Sequence, residues 1–253
     1  GLLGGAITDA VRRRYRQAGY QTEATASSPD HIGHELGLLA FLCAAEAEAH
    51  EDREQGHVER LQRRQSVFLQ HHLLRWLPPL VLALRDHQLP FYARVGQMTL
   101  QLVQDQMADL HGSTSIMPDP LPPAPHPLRG AESSLSDIAR FLVTPLHSGL
   151  YLSRETIGAL ARRFDLPRGF GSRKQLLLNT LRSAAQYERL DDFLNALQTL
   201  ATEWADGYAA LSSGPSAAFV ALWQERVIAT RRMLREMQAQ RETHAQSEYN
   251  KPE

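Results

Sequence analysis

Prolines at positions 118, 120, 122, 123, 125 and 127 forbid a helix across one short stretch of a chain whose periodic segments otherwise all read as helices. A run this dense favours extended, polyproline-like backbone without internal hydrogen bonds. It cuts the sequence in two, and no convincing two-residue alternation on either side asks for a sheet. The expected fold is all-α, with a domain over 1–112, a proline-rich linker over 113–130, a second all-helical domain over 131–242 and a polar tail over 243–253.

Upstream of the prolines, Thr8 to Ala18 reads as a short basic helix carrying Val11 and Tyr15 and stopped by Gly19. Ser28-Pro29-Asp30-His31 then opens a helix expected to run to about Ala49. Ser28 suits the N-cap, Pro29 the first helical position, and Asp30 the positive end of the helix dipole. At 100° per residue Ile32, Leu36, Leu39 and Cys43 form one apolar stripe, while Leu38, Phe41 and Leu42 fall on the other side, near His31 and His34. A helix apolar nearly all round is expected to be buried, with Asp30 and His31 at the lip of the core and Cys43 inside it. Glu51 to Gln65 is highly charged and continues into Phe68, His72 and Trp76, spaced i, i+4, i+8. Pro78 and Pro79 are expected to end or kink that helix. Pro90 starts another, with Phe91, Val95, Met98 and Leu102 on one face.

Downstream, helices are expected over Leu135–Leu142, Ser153–Phe164, Arg173–Ala185, Leu190–Tyr208 and Ala217–Gln240. Ser153 and Ser172 sit where N-caps belong, and Phe219, Trp223, Val227, Leu234 and Met237 form the stripe of the last helix.

Composition narrows the function classes. The formal net charge of -1, from 27 basic and 28 acidic residues, gives no electrostatic reason to expect a nucleic acid or an anionic membrane. One cysteine excludes a disulfide framework and thiolate metal sites within one chain. The longest apolar block, Leu36 to Ala45, is about half of what a membrane span needs.

Chemistry-bearing patterns are few. His31-x-x-His34-Glu35 is not the His-Glu-x-x-His order of zinc peptidases. Glu54-x-x-His57 lacks the second copy that a di-iron bundle requires, and it sits in a stretch that reads as solvated. Neither a nucleophile elbow nor a phosphate-cradling loop is present. No catalytic residue, metal or cofactor is therefore expected, and the chain reads as a non-enzyme. The alternative is a helical DNA-binding regulator using residues 153–182, with Arg162, Arg163, Arg168, Arg173, Lys174 and Arg182 on phosphates. Its connection from Asp165 to Ser172 is longer than a helix-turn-helix uses.

Four runs in order over residues 1–110 resemble the TorD/DmsD-like family of cytoplasmic chaperones for molybdenum redox enzymes. They are the opening Leu2-Leu3-Gly4-Gly5 with Val11, Tyr15 and Gly19; Pro29-Asp30-His31-Ile32-Gly33 followed by Glu35 to Leu42; Phe68 to Pro78; and Leu89-Pro90-Phe91-Tyr92. The resemblance implies a TorD-like helical bundle, and the expectation is that its N-terminal helices lie upstream of Gly1. It implies a chaperone that binds the twin-arginine signal peptide of a molybdopterin oxidoreductase in the cytoplasm. Such a protein assists cofactor loading of the apo-enzyme before export. Carried onto this chain, the signal-peptide site is expected at Pro29, Asp30, His31 and Glu35, joined by His72 and Trp76. Where the family often has Glu-Pro before its motif, this chain has Ser27 and Ser28. The expected partners are the signal peptide and the apo-oxidoreductase, with no nucleic acid and no membrane span, and a homodimer is one expected assembly. Residues 131–242 match nothing in the family.

Overall fold

A computed structural model describes residues 5–22, 28–86, 89–111, 117–129, 134–167 and 169–249. Among these residues all the regular secondary structure is helical and there is no strand. Leu2, Leu3, Gly4, Ser27 and Arg168 of the sequence reading lie outside them. The helices are α1 (Ala6–Ala18), α2 (Ile32–Glu51), α3 (Gln55–Phe68), a π-helical turn (Leu69–Leu73), α4 (Leu74–Asp86), α5 (Pro90–His111), α6 (Leu135–Leu142), α7 (Pro145–Ser148), α8 (Arg154–Arg163), α9 (Arg173–Gln186), α10 (Leu190–Leu211) and α11 (Ala217–Tyr249). They divide into two compact units: Gly1–Leu77 with Gln97–Asp119 and Gly214–Ser216, and Pro78–Gly96 with Pro120–Ser213 and Ala217–Glu253.

In the first unit, α1 ends at Gly19, whose φ of 74° is the left-handed cap that glycine adopts without strain. Helix α2 starts three residues later than its polar opening suggests. Ser28-Pro29-Asp30-His31 closes a turn, with the His31 N–H donating to the Ser28 carbonyl at 2.9 Å, and proline fits its second position for the same φ that suits a helix start. His31, not Ser28, is the N-cap. The helix is also not buried all round: Glu35, Leu38, Leu39 and Leu42 are buried while Phe41 is 40% exposed. Cys43 is half-buried rather than core, and its thiol reaches the Gln65 side-chain oxygen at 3.5 Å. An amide ladder ties α2, α3 and α5: Glu46 accepts from Gln62 at 2.7 Å and Gln65 at 2.6 Å, and Gln65 accepts from Gln106 at 2.7 Å.

Helices α4 and α5 add detail that the sequence leaves open. Helix α4 runs through Pro78 and Pro79 and continues over Leu80 to Leu84. The π turn lies just upstream, a wide-turn element that lets a helix take up local misfit. The face of α5 carrying Phe91, Val95, Met98 and Leu102 is 43–71% exposed, and burial falls on Leu100, Val103 and Met107. Both stripes are apolar, so period alone does not choose between them.

The second unit is a conventional helical core. Ser134, Ser153 and Ser172 each accept an N–H of the first turn of their helix, the arrangement worth about 1 kcal/mol per cap. Helices α10 and α11 pair along their length, and Phe219, Trp223, Val227, Leu234 and Met237 of α11 are all at most 6% exposed. The four-residue helix α7 is too short to leave a periodic signal. From Pro120 onward the proline-rich run is extended, and Leu121, Ala124 and Leu128 pack on the core of this unit.

Candidate functional site

The turn ahead of α2 and the helices α1 and α4 converge on a polar cluster inside the first unit. Thr8 of α1, itself 2% exposed, donates through its hydroxyl to one Asp30 carboxylate oxygen at 2.9 Å. Ser28 donates to the other. Two turns along α1, the Tyr15 hydroxyl donates to the Pro29 carbonyl at 2.7 Å. Basic helix α1 thereby fastens the Pro29-Asp30 turn in place. Burial acts to raise the Asp30 carboxyl, but the Ser28 and Thr8 hydroxyls, its own backbone N–H and the Arg12 charge outweigh that and hold it below the usual carboxylate range.

Glu35 lies one turn into α2 and is 1% exposed. Burial pushes its carboxyl up to about 8; a hydrogen bond from the Trp76 indole opposes the shift, and the Asp30 charge adds to it. Its Oε2 is buried without a hydrogen-bond partner. An orphaned buried oxygen costs roughly 1–3 kcal/mol; below about pH 8 the carboxyl is neutral and carries its own O–H, so a hydrogen-bonding group that reaches Oε2 recovers that cost. Tyr15 is raised as well, by burial and then by the Glu35, Tyr20 and Asp30 charges, so its hydroxyl stays a donor at physiological pH.

His31 is exposed, and its Nδ1 accepts the Gly33 N–H at 3.1 Å. That bond caps α2 and fixes the ring, with His34 at 6.0 Å between centroids. Tyr20 seals the side of the cluster by packing on Tyr15 (5.3 Å) and Phe41 (5.6 Å). Its hydroxyl occupies the space that a Cβ on Gly37 would need.

The structure thus gathers Pro29, Asp30, Glu35 and Trp76 of the expected site. His72 has different neighbours: it is buried, its ring lies 5.1 Å from that of Phe68, and burial pushes it down to about 4, with Arg14, His71 and Arg75 adding to the effect. Next to it in the π turn, His71 pairs with Asp119 at 3.1 Å. Sequence reasoning missed Thr8, Tyr15 and Tyr20 as members of the cluster. Gly37 inside a helix was the available signal, since such a glycine often marks close packing.

Other candidates resolve simply. Glu54 and His57 form an exposed pair at 3.3 Å. Among the described residues no group of three or more His, Cys, Asp or Glu is placed to hold a metal ion, and no helix is long and apolar enough to cross a membrane. Arg173, one of the proposed phosphate contacts, donates to the Leu152 carbonyl at 3.2 Å and stacks 4.7 Å over Tyr151.

With this geometry in view, comparison with known proteins adds one finding. Residues 1–81 match the family model described as nitrate reductase delta subunit. That span contains α1, the Pro29-Asp30 turn, α2, Glu35 and Trp76. No curated protein and no solved structure matches the chain.

Proposed function

We propose, from the premise that residues 1–81 belong to a TorD/DmsD-like family of redox-enzyme maturation proteins, that this chain is a cytoplasmic, non-catalytic chaperone. It binds the twin-arginine signal peptide of a molybdopterin oxidoreductase and holds the apo-enzyme until its cofactor is loaded. The family match over the Asp30 cluster carries the reading. A signal peptide offers two guanidinium groups and an apolar stretch. Asp30 supplies a carboxylate on a fastened turn and His31 a ring held at the surface by its cap, while Glu35 is a neutral, buried carboxyl behind them. Phe41 and the half-buried Ile32 and Leu36 flank them with apolar surface. Trp76 supports them by holding the Glu35 carboxyl, and His72 packs its neutral ring on Phe68.

The energetics suit a client that must be released. Covering about 500 Å² of apolar surface is worth about 12 kcal/mol gross. Association and ordering costs bring that to roughly micromolar affinity. Calorimetric titration of the full chain with a twin-arginine signal peptide should give a Kd of that order, and a peptide with both arginines replaced by glutamine should bind at least tenfold more weakly. Absence of binding, or equal binding of the two peptides, overturns the reading.

A further inference from the structure

The second unit contains a cavity of about 410 Å³ between the proline-rich strap, residues 120–127, and the faces of α6, α7 and α11. Its walls are mainly apolar, with Leu121, Phe141, Leu222 and Met233 among them, and its few polar groups are His126, His147, Glu225 and Arg226. That size and mixture are those of a small-molecule site.

Three observations say what chemistry it lacks. Among the described residues, three buried side-chain nitrogen or oxygen atoms have no hydrogen-bond partner, and two of them, Nδ1 of His126 and Nδ1 of His147, belong to this wall. Arg226 is partly buried; one N–H donates to the Pro122 carbonyl at 2.8 Å, and no carboxylate among the described residues pairs with it. Burial alone lowers its pKa, the signature of a cation short of a counter-charge. The nearby carboxylates are otherwise placed: Glu236 faces the other nitrogen of His126 at 3.5 Å, and Glu225 is exposed. Finally, the Phe141 and His147 rings stack at 6.2 Å with 27° between their planes, giving the cavity a flat wall.

We propose that this cavity binds a small organic anion with a planar apolar body, its carboxylate or sulfonate on Arg226 and its body against Phe141 and His147. The anion supplies the counter-charge that Arg226 lacks, and a polar substituent on the body satisfies one or both imidazole nitrogens. The strap keeps the prolines extended over the ligand, and its carbonyl at Pro122 orients the guanidinium. This site is independent of the signal-peptide reading, because every residue in it lies in the second unit.

The probe is 8-anilinonaphthalene-1-sulfonate, followed by fluorescence with the full chain. One saturable site is expected. Its Kd should rise at least tenfold in Arg226→Gln and in Ala229→Phe, which puts a ring into the cavity wall, while thermal stability stays close to that of the parent. N-phenyl-1-naphthylamine, the same body without the charge, should bind at least tenfold more weakly. Met98→Glu on the exposed face of α5 should leave binding unchanged. No saturable binding, equal binding of the uncharged dye, or a site lost in Met98→Glu but kept in both cavity variants would overturn the proposal. If Arg226→Gln lowers stability, Ala229→Phe decides.

Discussion

In the second unit, buried hydroxyls are spent on backbone. Ser148 donates to the Leu142 carbonyl, Thr180 to Leu176, Thr230 to Ser148, and Tyr208 to Gly149 at 2.9 Å. In the first unit, the buried polar groups include Glu35, Gln65 and His72, side chains that titrate or carry both a donor and an acceptor. The hydroxyls close off carbonyls that would otherwise be buried unpaired, and they do so with short side chains whose geometry the local helix already sets. The Glu35 cluster is costlier, since it buries a carboxyl with one oxygen unpartnered. Polarity of the first kind stabilises a fold; polarity of the second kind costs stability, and it is the kind that clusters at functional sites.

The sharpest way to break this comparison is through pH. A carboxyl raised to about 8 in the folded state holds its proton more tightly than the unfolded chain, whose glutamate titrates near about 4.3. Its stabilising contribution is complete below about 4.3 and is lost as pH rises through about 8, a change on the order of 5 kcal/mol. Urea unfolding at pH 5 and pH 9 should show Glu35→Gln losing several kcal/mol less than the parent over that interval. Identical pH dependence in the two proteins would show that the fold does not raise the Glu35 carboxyl.

Backbone fit gives the next effect. Gly149 has a φ of 74°, and a Cβ there would come within 2.8 Å of the Val227 nitrogen, so Gly149→Ala should cost about 2–3 kcal/mol that no partner substitution restores. Gly37→Ala meets only the far end of the Tyr20 side chain, the hydroxyl and, at 3.3 Å, the ring Cζ. Its loss of about 1–2 kcal/mol should be mostly recovered in the double variant with Tyr20→Phe, read by denaturant midpoint. Smallest are the caps: Ser134→Ala, Ser153→Ala and Ser172→Ala should each cost about 1 kcal/mol and act additively in thermal unfolding.

The same contrast decided what the sequence could convey. Three helices of the second unit, α6, α8 and α9, were legible because a serine cap and a 3.6-residue stripe agree: α6 matches residue for residue and α9 starts where expected, as does α10 on its stripe alone. In the first unit local signals were ambiguous. Ser28-Pro29 serves a turn as well as a helix start, both faces of α5 are apolar, and Arg53 breaks α2 from α3 with a positive φ of 61° that its residue type does not advertise. Of the site, Asp30, Glu35 and Trp76 stood out as polar residues beside apolar runs. Thr8 and Tyr15 did not, because their partners are 22 and 14 positions away and nothing local marks the pairing.

Peptide titration against paired variants tests the central claim most directly. Asp30→Ala with His31→Ala should weaken a twin-arginine signal peptide at least tenfold, about 1.4 kcal/mol, whereas Thr180→Ala, which removes a buried hydroxyl from the second unit, should leave the affinity unchanged. Equal affinity for the parent and the Asp30 and His31 double variant would contradict the assignment of the α2 entrance as the peptide-binding lip.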